Sequence, residues 1–189
     1  MCDRSRSGAA RRRPGRTARA DPFVRGFANS PWTGVVTLLL LAVPSSWAET
    51  PEEWIALGAR VHGGFGSFIP LGIRIGLDAK ERLKIKPREI VVEYYDGEKS
   101  PCACFADGIA IATLASVGQR SLRIASEKAP EGTAAVIVIR PKQGGAGFKY
   151  TIPISALGKL SPMNNDLDER GRFDAVMRMD GLFEVEPAP

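Results

Sequence analysis

Histidine and cysteine are scarce in this chain, which has one His and three Cys in 189 residues. Cys2 lies close to the start, so beyond residue 48 only Cys102 and Cys104 remain. So few cysteines exclude a disulfide scaffold. With one histidine, any Ser-His-Asp arrangement would have to use His62, and the sequence holds no serine nucleophile elbow. Long apolar runs are absent as well. The stretch Val35 to Val43 falls far short of the roughly 20 residues that span a bilayer. Beyond residue 48 there is no internal repeat and no low-complexity segment.

A basic excess is missing where it would matter. The whole chain carries a formal +5, but residues 1–48 hold eight Arg against Asp3 and Asp21, a net of +6. Residues 49–189 hold 18 Lys plus Arg and 19 Asp plus Glu, a net of −1. That part has no surplus cations to neutralise phosphates, which argues against a nucleic-acid partner. It gives no electrostatic support for a membrane-surface role either.

What residues 1–48 do contain is the pattern of a signal peptide. An Arg-rich start, with Arg11-Arg12-Arg13, precedes the apolar run Val35–Val43. Pro44 breaks that run, and Ser46-Trp47-Ala48 puts small residues at −3 and −1. Cleavage is expected after Ala48, followed by release to the periplasm or beyond the cell without stable membrane insertion. No Cys follows the run, which argues against a lipoprotein anchor.

Residues 49–189 have the length of one ordinary domain. Thr50-Pro51-Glu52-Glu53 predicts a helix start, with a cap, a first-turn proline and acids at the positive dipole end. That helix is expected to end at Gly63-Gly64. Residues 69–77 alternate as a strand does, yet Pro70 suits a first turn and 78–83 are strong helix formers, so a helix from Pro70 to about Leu83 is expected. Gly72 and Gly76 would give it a face open to close approach of another backbone. Glu89–Tyr95 predicts a strand, with one tyrosine of Tyr94-Tyr95 in the core. Asp107 predicts the cap of a buried helix with its body from Ile109 to Val117, ended by Gly118. Strands are expected at Leu122–Ile124, Thr133–Arg140 and Phe148–Ile154, with a hairpin loop between the last two. A helical turn at Ser155–Leu160, a helix over Asp166–Met179 interrupted at Gly171, and a strand at Leu182–Val185 complete the order. It reads as α+β: a single small domain with a mixed or antiparallel sheet packed with helices.

Three places stand out for chemistry. His62-Gly63-Gly64-Phe65-Gly66-Ser67 puts the only imidazole at a helix end, before a loop that would let a ligand reach backbone N–H groups. The same glycines also serve a plain flexible connection. Cys102-Ala103-Cys104 can share a soft metal, form a strained and reducible disulfide, or stay as two buried thiols. One Cys-x-Cys is short of the four ligands of a closed zinc site. Asp107 is either a helix cap or a site carboxylate. Asp78 and Glu81 read as a solvated face. The Gly144–Gly147 run has no helix after it and is no phosphate loop.

At these segments the chain resembles the formylmethanofuran dehydrogenase E-subunit family. Its first block, F-H-G-H-x-C-P-G-x-x-x-G, is matched by Val61-His62-Gly63-Gly64-Phe65-Gly66-Ser67-Phe68-Ile69-Pro70-Leu71-Gly72. The second, C-x-x-D-[AG]-I-Q-x-x-T-G-C-T-x-G-[KN], is matched from Cys104 to Gln119 without gaps. The likeness covers about residues 54–154, leaving 155–189 as a C-terminal extension. Several family ligands are replaced. The second His, the loop Cys and the Pro after it are Gly64, Gly66 and Ser67, and the later Cys is Ala115. No Cys follows Cys104, so the zinc-binding tail of some members is not expected here. His62, Cys104 and Asp107 remain.

The expectation is therefore an exported, non-catalytic protein that binds a small molecule or metal complex on this fold. Its expected ligand-binding residues are His62, Gly63, Gly64, Gly66 and Asp107, with His62, Cys104 and Cys102 on a metal. Zinc, iron or a metal-containing organic cofactor fits such donors, and glycines in place of larger ligands make room. The alternatives are a structural or assembly role and, as the resemblance implies, an enzyme or accessory of one-carbon metabolism. A β edge would allow a homodimer.

Overall fold

The computed structural model describes residues 49–189, so the expected signal segment lies outside the described residues. The element order is α1 (Pro51–His62), α2 (Phe68–Leu83), β1 (Ile90–Asp96), α3 (Cys104–Thr113), β2 (Leu122–Ile124), β3 (Thr133–Pro141), β4 (Gly147–Pro153), α4 (Ser155–Leu160), α5 (Met163–Asp166), α6 (Glu169–Arg178) and β5 (Glu184–Ala188). No described helix is long and apolar enough to cross a membrane. The five strands form one mixed sheet in the order β2-β1-β3-β4-β5. Only the β1–β2 pair is parallel. This is the expected α+β architecture.

The sheet buries one face. Ile90, Val92 and Tyr94 of β1, Ile137 and Ile139 of β3, and Tyr150 and Ile152 of β4 are fully buried. They meet in register, Tyr94 opposite Ile137 and Ile137 opposite Tyr150. The period-2 pattern of each strand places these residues on one side. The helices pack on that side. α2 is bound to the sheet by a polar contact, in which the Tyr150 hydroxyl donates to Asp78 Oδ2 at 2.7 Å. Arg82 Nε donates to the same oxygen at 2.6 Å. Asp78 was expected on a solvated face; the helix rotates it instead toward a buried hydroxyl that needs an acceptor. Burial first, and then the Asp78 carboxylate beside it, push the Tyr150 hydroxyl well above the ordinary tyrosine pKa.

α1 begins as its sequence demands. Thr50 Oγ1 accepts from the Glu53 N–H, and the Glu53 side chain accepts from the Thr50 N–H. α2 and α3 cross at very short range. A side chain at Gly72 would collide with the Phe105 carbonyl oxygen and would lie 2.9 Å from the Gly108 Cα. One at Gly76 would lie 2.7 Å from the Ala112 Cβ. The close approach expected at Gly72 and Gly76 is thus met, and Gly108 supplies its other half. Arg74, also on α2, donates to the Val176 and Met179 carbonyls and so satisfies the C-terminal end of α6.

Three expected boundaries move. α3 starts at Cys104 and stops at Thr113, so Asp107 lies inside the helix and is not its cap. Thr113 Oγ1 donates to the Ile109 carbonyl and accepts from the Ala115 N–H, and Leu114 turns left-handed at φ 56°. Those local bonds end the helix before Gly118. The expected helix over 166–179 breaks at the extended Leu167 rather than at Gly171, because Asp168 Oδ1 accepts from the Gly171 N–H and caps α6. The final strand begins at Glu184, where Thr151 pairs with it.

Overpacking at the helix crossing should be severe. Gly108→Val is expected to lower stability by about 3 kcal/mol in chemical denaturation, with Gly63→Ala, which faces open space, costing about 1 kcal/mol through its left-handed φ. Tyr150 bears on pH. A folded-state pKa raised above the unfolded value supports stability below the ordinary 10.0 and loses it as pH climbs beyond. Thermal melts should therefore fall above pH 10.0, and fall less steeply for Tyr150→Phe.

Candidate functional site

His62 is the last residue of α1, because Gly63 follows in the left-handed conformation at φ 90° and returns its N–H to the Ala59 carbonyl. The ring therefore projects from a rigid helix end rather than from the loop. Asp107 lies in the first turn of α3. The two meet, with His62 Nδ1 2.7 Å from Asp107 Oδ2. Their side chains are 31% and 41% exposed, so water screens the pair, and its value is orientation rather than stability. A carboxylate on one imidazole nitrogen fixes the ring and its tautomer and leaves the other nitrogen for a metal or ligand.

The two cysteines complete the cluster. Cys104 opens α3 and is buried, whereas Cys102 is half-buried, its carbonyl accepting from Ser100 Oγ at 3.0 Å. Their Cα atoms are 5.3 Å apart and the sulfurs are joined as a disulfide. One ligand atom from each of His62, Cys102 and Cys104 lies within 4.8 Å of the others. As a disulfide the sulfurs are weak ligands. Reduced, they would offer two thiolates beside one imidazole, the Cys₂His donor set that suits a borderline metal such as zinc and leaves a fourth position open.

The glycine loop divides between two surroundings. Side-chain positions at Gly63 and Gly64 face open space beside His62. Gly66 instead lies 3.4 Å from Asn164 Oδ1 of α5. The Ser67 N–H, at the start of α2, donates to that same Asn164 oxygen at 2.8 Å, and Ser67 Oγ donates to the Leu160 carbonyl. Asn164 had no signal in the sequence. It takes the helix-end N–H that the loop would otherwise have presented to a ligand.

Beside the cluster runs a hollow of about 330 Å³ between α1 and α3, lined among others by Leu57, Arg60, Val61, Ile111, Leu114 and Ala115. Ala115 is the position where the family pattern has its later cysteine. These lining residues come from α1, from α3 and from the turn just after α3, a pairing invisible along the chain; Val61 and Leu114 are exposed there, at 54% and 44%.

No curated protein is similar enough to match. The chain is similar to a solved structure, a tungsten formylmethanofuran dehydrogenase FmdE-like protein from Syntrophus aciditrophicus. The two share 18% identity at a TM-score of 0.48, over 75% of this chain and 73% of that one. A family model described as FmdE, molybdenum formylmethanofuran dehydrogenase operon, matches residues 61–169, from the last turn of α1 into α6. That stretch is more than half of the chain and contains His62, Cys102, Cys104 and Asp107, and the chain therefore belongs to the FmdE family.

Proposed function

We propose that this FmdE-family chain is an exported, non-catalytic binding protein that holds a metal or a metal-bearing cofactor at His62, Cys102 and Cys104. The supporting observation is the convergence of one imidazole and two sulfurs within 4.8 Å, with Asp107 steering the ring. Three protein donors and an open fourth position suit a ligand that brings part of its own coordination. Gly63 and Gly64 leave the approach to His62 uncrowded. The bound metal would supply a Lewis-acidic anchor. The chain's own part is to present His62 in one tautomer, to keep Cys104 shielded from bulk water, and to hold the thiolates close when reduced. Export rests on the signal-like pattern that ends at Ala48.

Cobalt(II) titration of the reduced protein should show thiolate-to-metal charge transfer, which the oxidised protein should lack. His62→Ala should weaken binding about tenfold or more, and Asp107→Asn about tenfold through the loosened ring. Absence of any cobalt spectrum in the reduced protein, or an unchanged one in His62→Ala, would overturn the metal site. Export has its own check. N-terminal sequencing of the protein recovered from the periplasm should begin at Glu49, and a start within residues 1–48 would reject cleavage at Ala48.

A further inference from the structure

We infer that the hollow between α1 and α3 is a second binding site, for a small amphipathic carboxylate with an unbranched apolar body. It goes beyond the metal reading, because it uses neither His62 nor the cysteines. α1 and α3 run antiparallel here. His62 at the end of α1 meets Asp107 at the start of α3, while Glu49, ahead of α1, shares a lining with Ser116, beyond α3. Between those ends the walls are Leu57 and Val61 on one side and Ala110, Ile111 and Leu114 on the other. An adjoining hollow of about 400 Å³ shares Glu49, Leu57 and Arg60 and continues past Ala56 to Glu53. The two therefore form one groove along α1 from Glu53 to Val61, about 12 Å at the helical rise. That length suits a chain of about eight to ten carbons.

Charge selects the head group. Arg60 and Arg88 both line the groove, and neither is in an ion pair among the described residues. Two acids, Glu49 and Glu53, also line the groove, and Glu53 accepts from the Thr50 N–H in the cap of α1. Two guanidiniums beside an apolar floor match a carboxylate, which a guanidinium grips through paired hydrogen bonds. The groove is also built from strained backbone. Arg88 and Leu114 are two of only four described non-glycine residues at positive φ, at 72° and 56°. The Arg88 N–H donates to the Thr113 carbonyl, which ties that arginine to the end of α3. Strain held in place at a rim of this kind is a feature of ligand clamps.

The test is calorimetric titration of the purified protein with octanoate and with 1-octanol. Octanoate should bind saturably, and a double Arg60→Gln, Arg88→Gln variant should lose about tenfold or more in octanoate affinity while 1-octanol changes less than about twofold. Ile111→Glu should abolish both, with circular dichroism confirming that each variant is folded. His62→Ala with Cys104→Ser should leave octanoate binding intact although it removes cobalt, so the two readings fail separately. The inference is overturned if octanoate binds the arginine variant as tightly as the wild type, or if no saturable heat appears. It is equally overturned if the groove proves to be filled by a second copy, seen as a dimer that Leu114→Asp dissociates and octanoate does not.

Discussion

The crossing of α2 and α3 over Gly72, Gly76 and Gly108 is the contact on which the rest of the domain depends. It brings two backbones to a distance that excludes even a methyl group at Gly72. Such an approach fixes the axial position of α3 as well as its direction, because no side chain is present to slide past. The first turn of α3 then faces the end of α1. Asp107 reaches His62, and Cys104 sits close to the same ring. Shift α3 by one residue and the carboxylate would rotate by a quarter turn or more away from the imidazole. The geometry of the exposed cluster is thus set by glycines that are themselves buried.

The polar contacts divide into those that hold elements together and those that aim a side chain. Tyr150 with Asp78 and Arg74 with the end of α6 are of the first kind; each satisfies a group that burial would otherwise leave without a partner. His62 with Asp107 is of the second kind. It is partly in water and contributes little to folding. An ion pair of that type is retained for direction. The cysteines are different again, since they are joined to each other as a disulfide beside the same ring.

Legibility in the sequence followed the range of the forces involved. The caps and periods of α1, β1, β3 and β4 are local, and their residues alone placed those elements within a position or two. The helix at 68–83 was harder. Its alternating isoleucines fit a strand, and only Pro70 and the run from Asp78 favour a helix. Gly118 is the obvious stop for α3 along the chain, whereas a threonine hydroxyl closes the helix at Thr113. Asp107 fits a helix cap by its local sequence, but the fold places it inside α3 and turns it toward His62 on another helix. Asn164 and the groove residues carried no local signal at all, since their partners are over 90 residues away or lie on a different helix.

What the sequence determined by itself is therefore the inventory: one imidazole, two close thiols, a helix order, a pair of glycines at close-approach spacing and a family pattern around them. Those follow from residue identity and from interactions within a turn or two of chain. The tertiary structure decided which of these groups meet. His62, Asp107, Cys102 and Cys104 converge, Gly66 turns instead to Asn164, and Arg60 and Arg88 come to rim one groove. The physical reason is that convergence depends on how closely α2 and α3 pack, and that distance is a property of two surfaces in contact rather than of either segment alone.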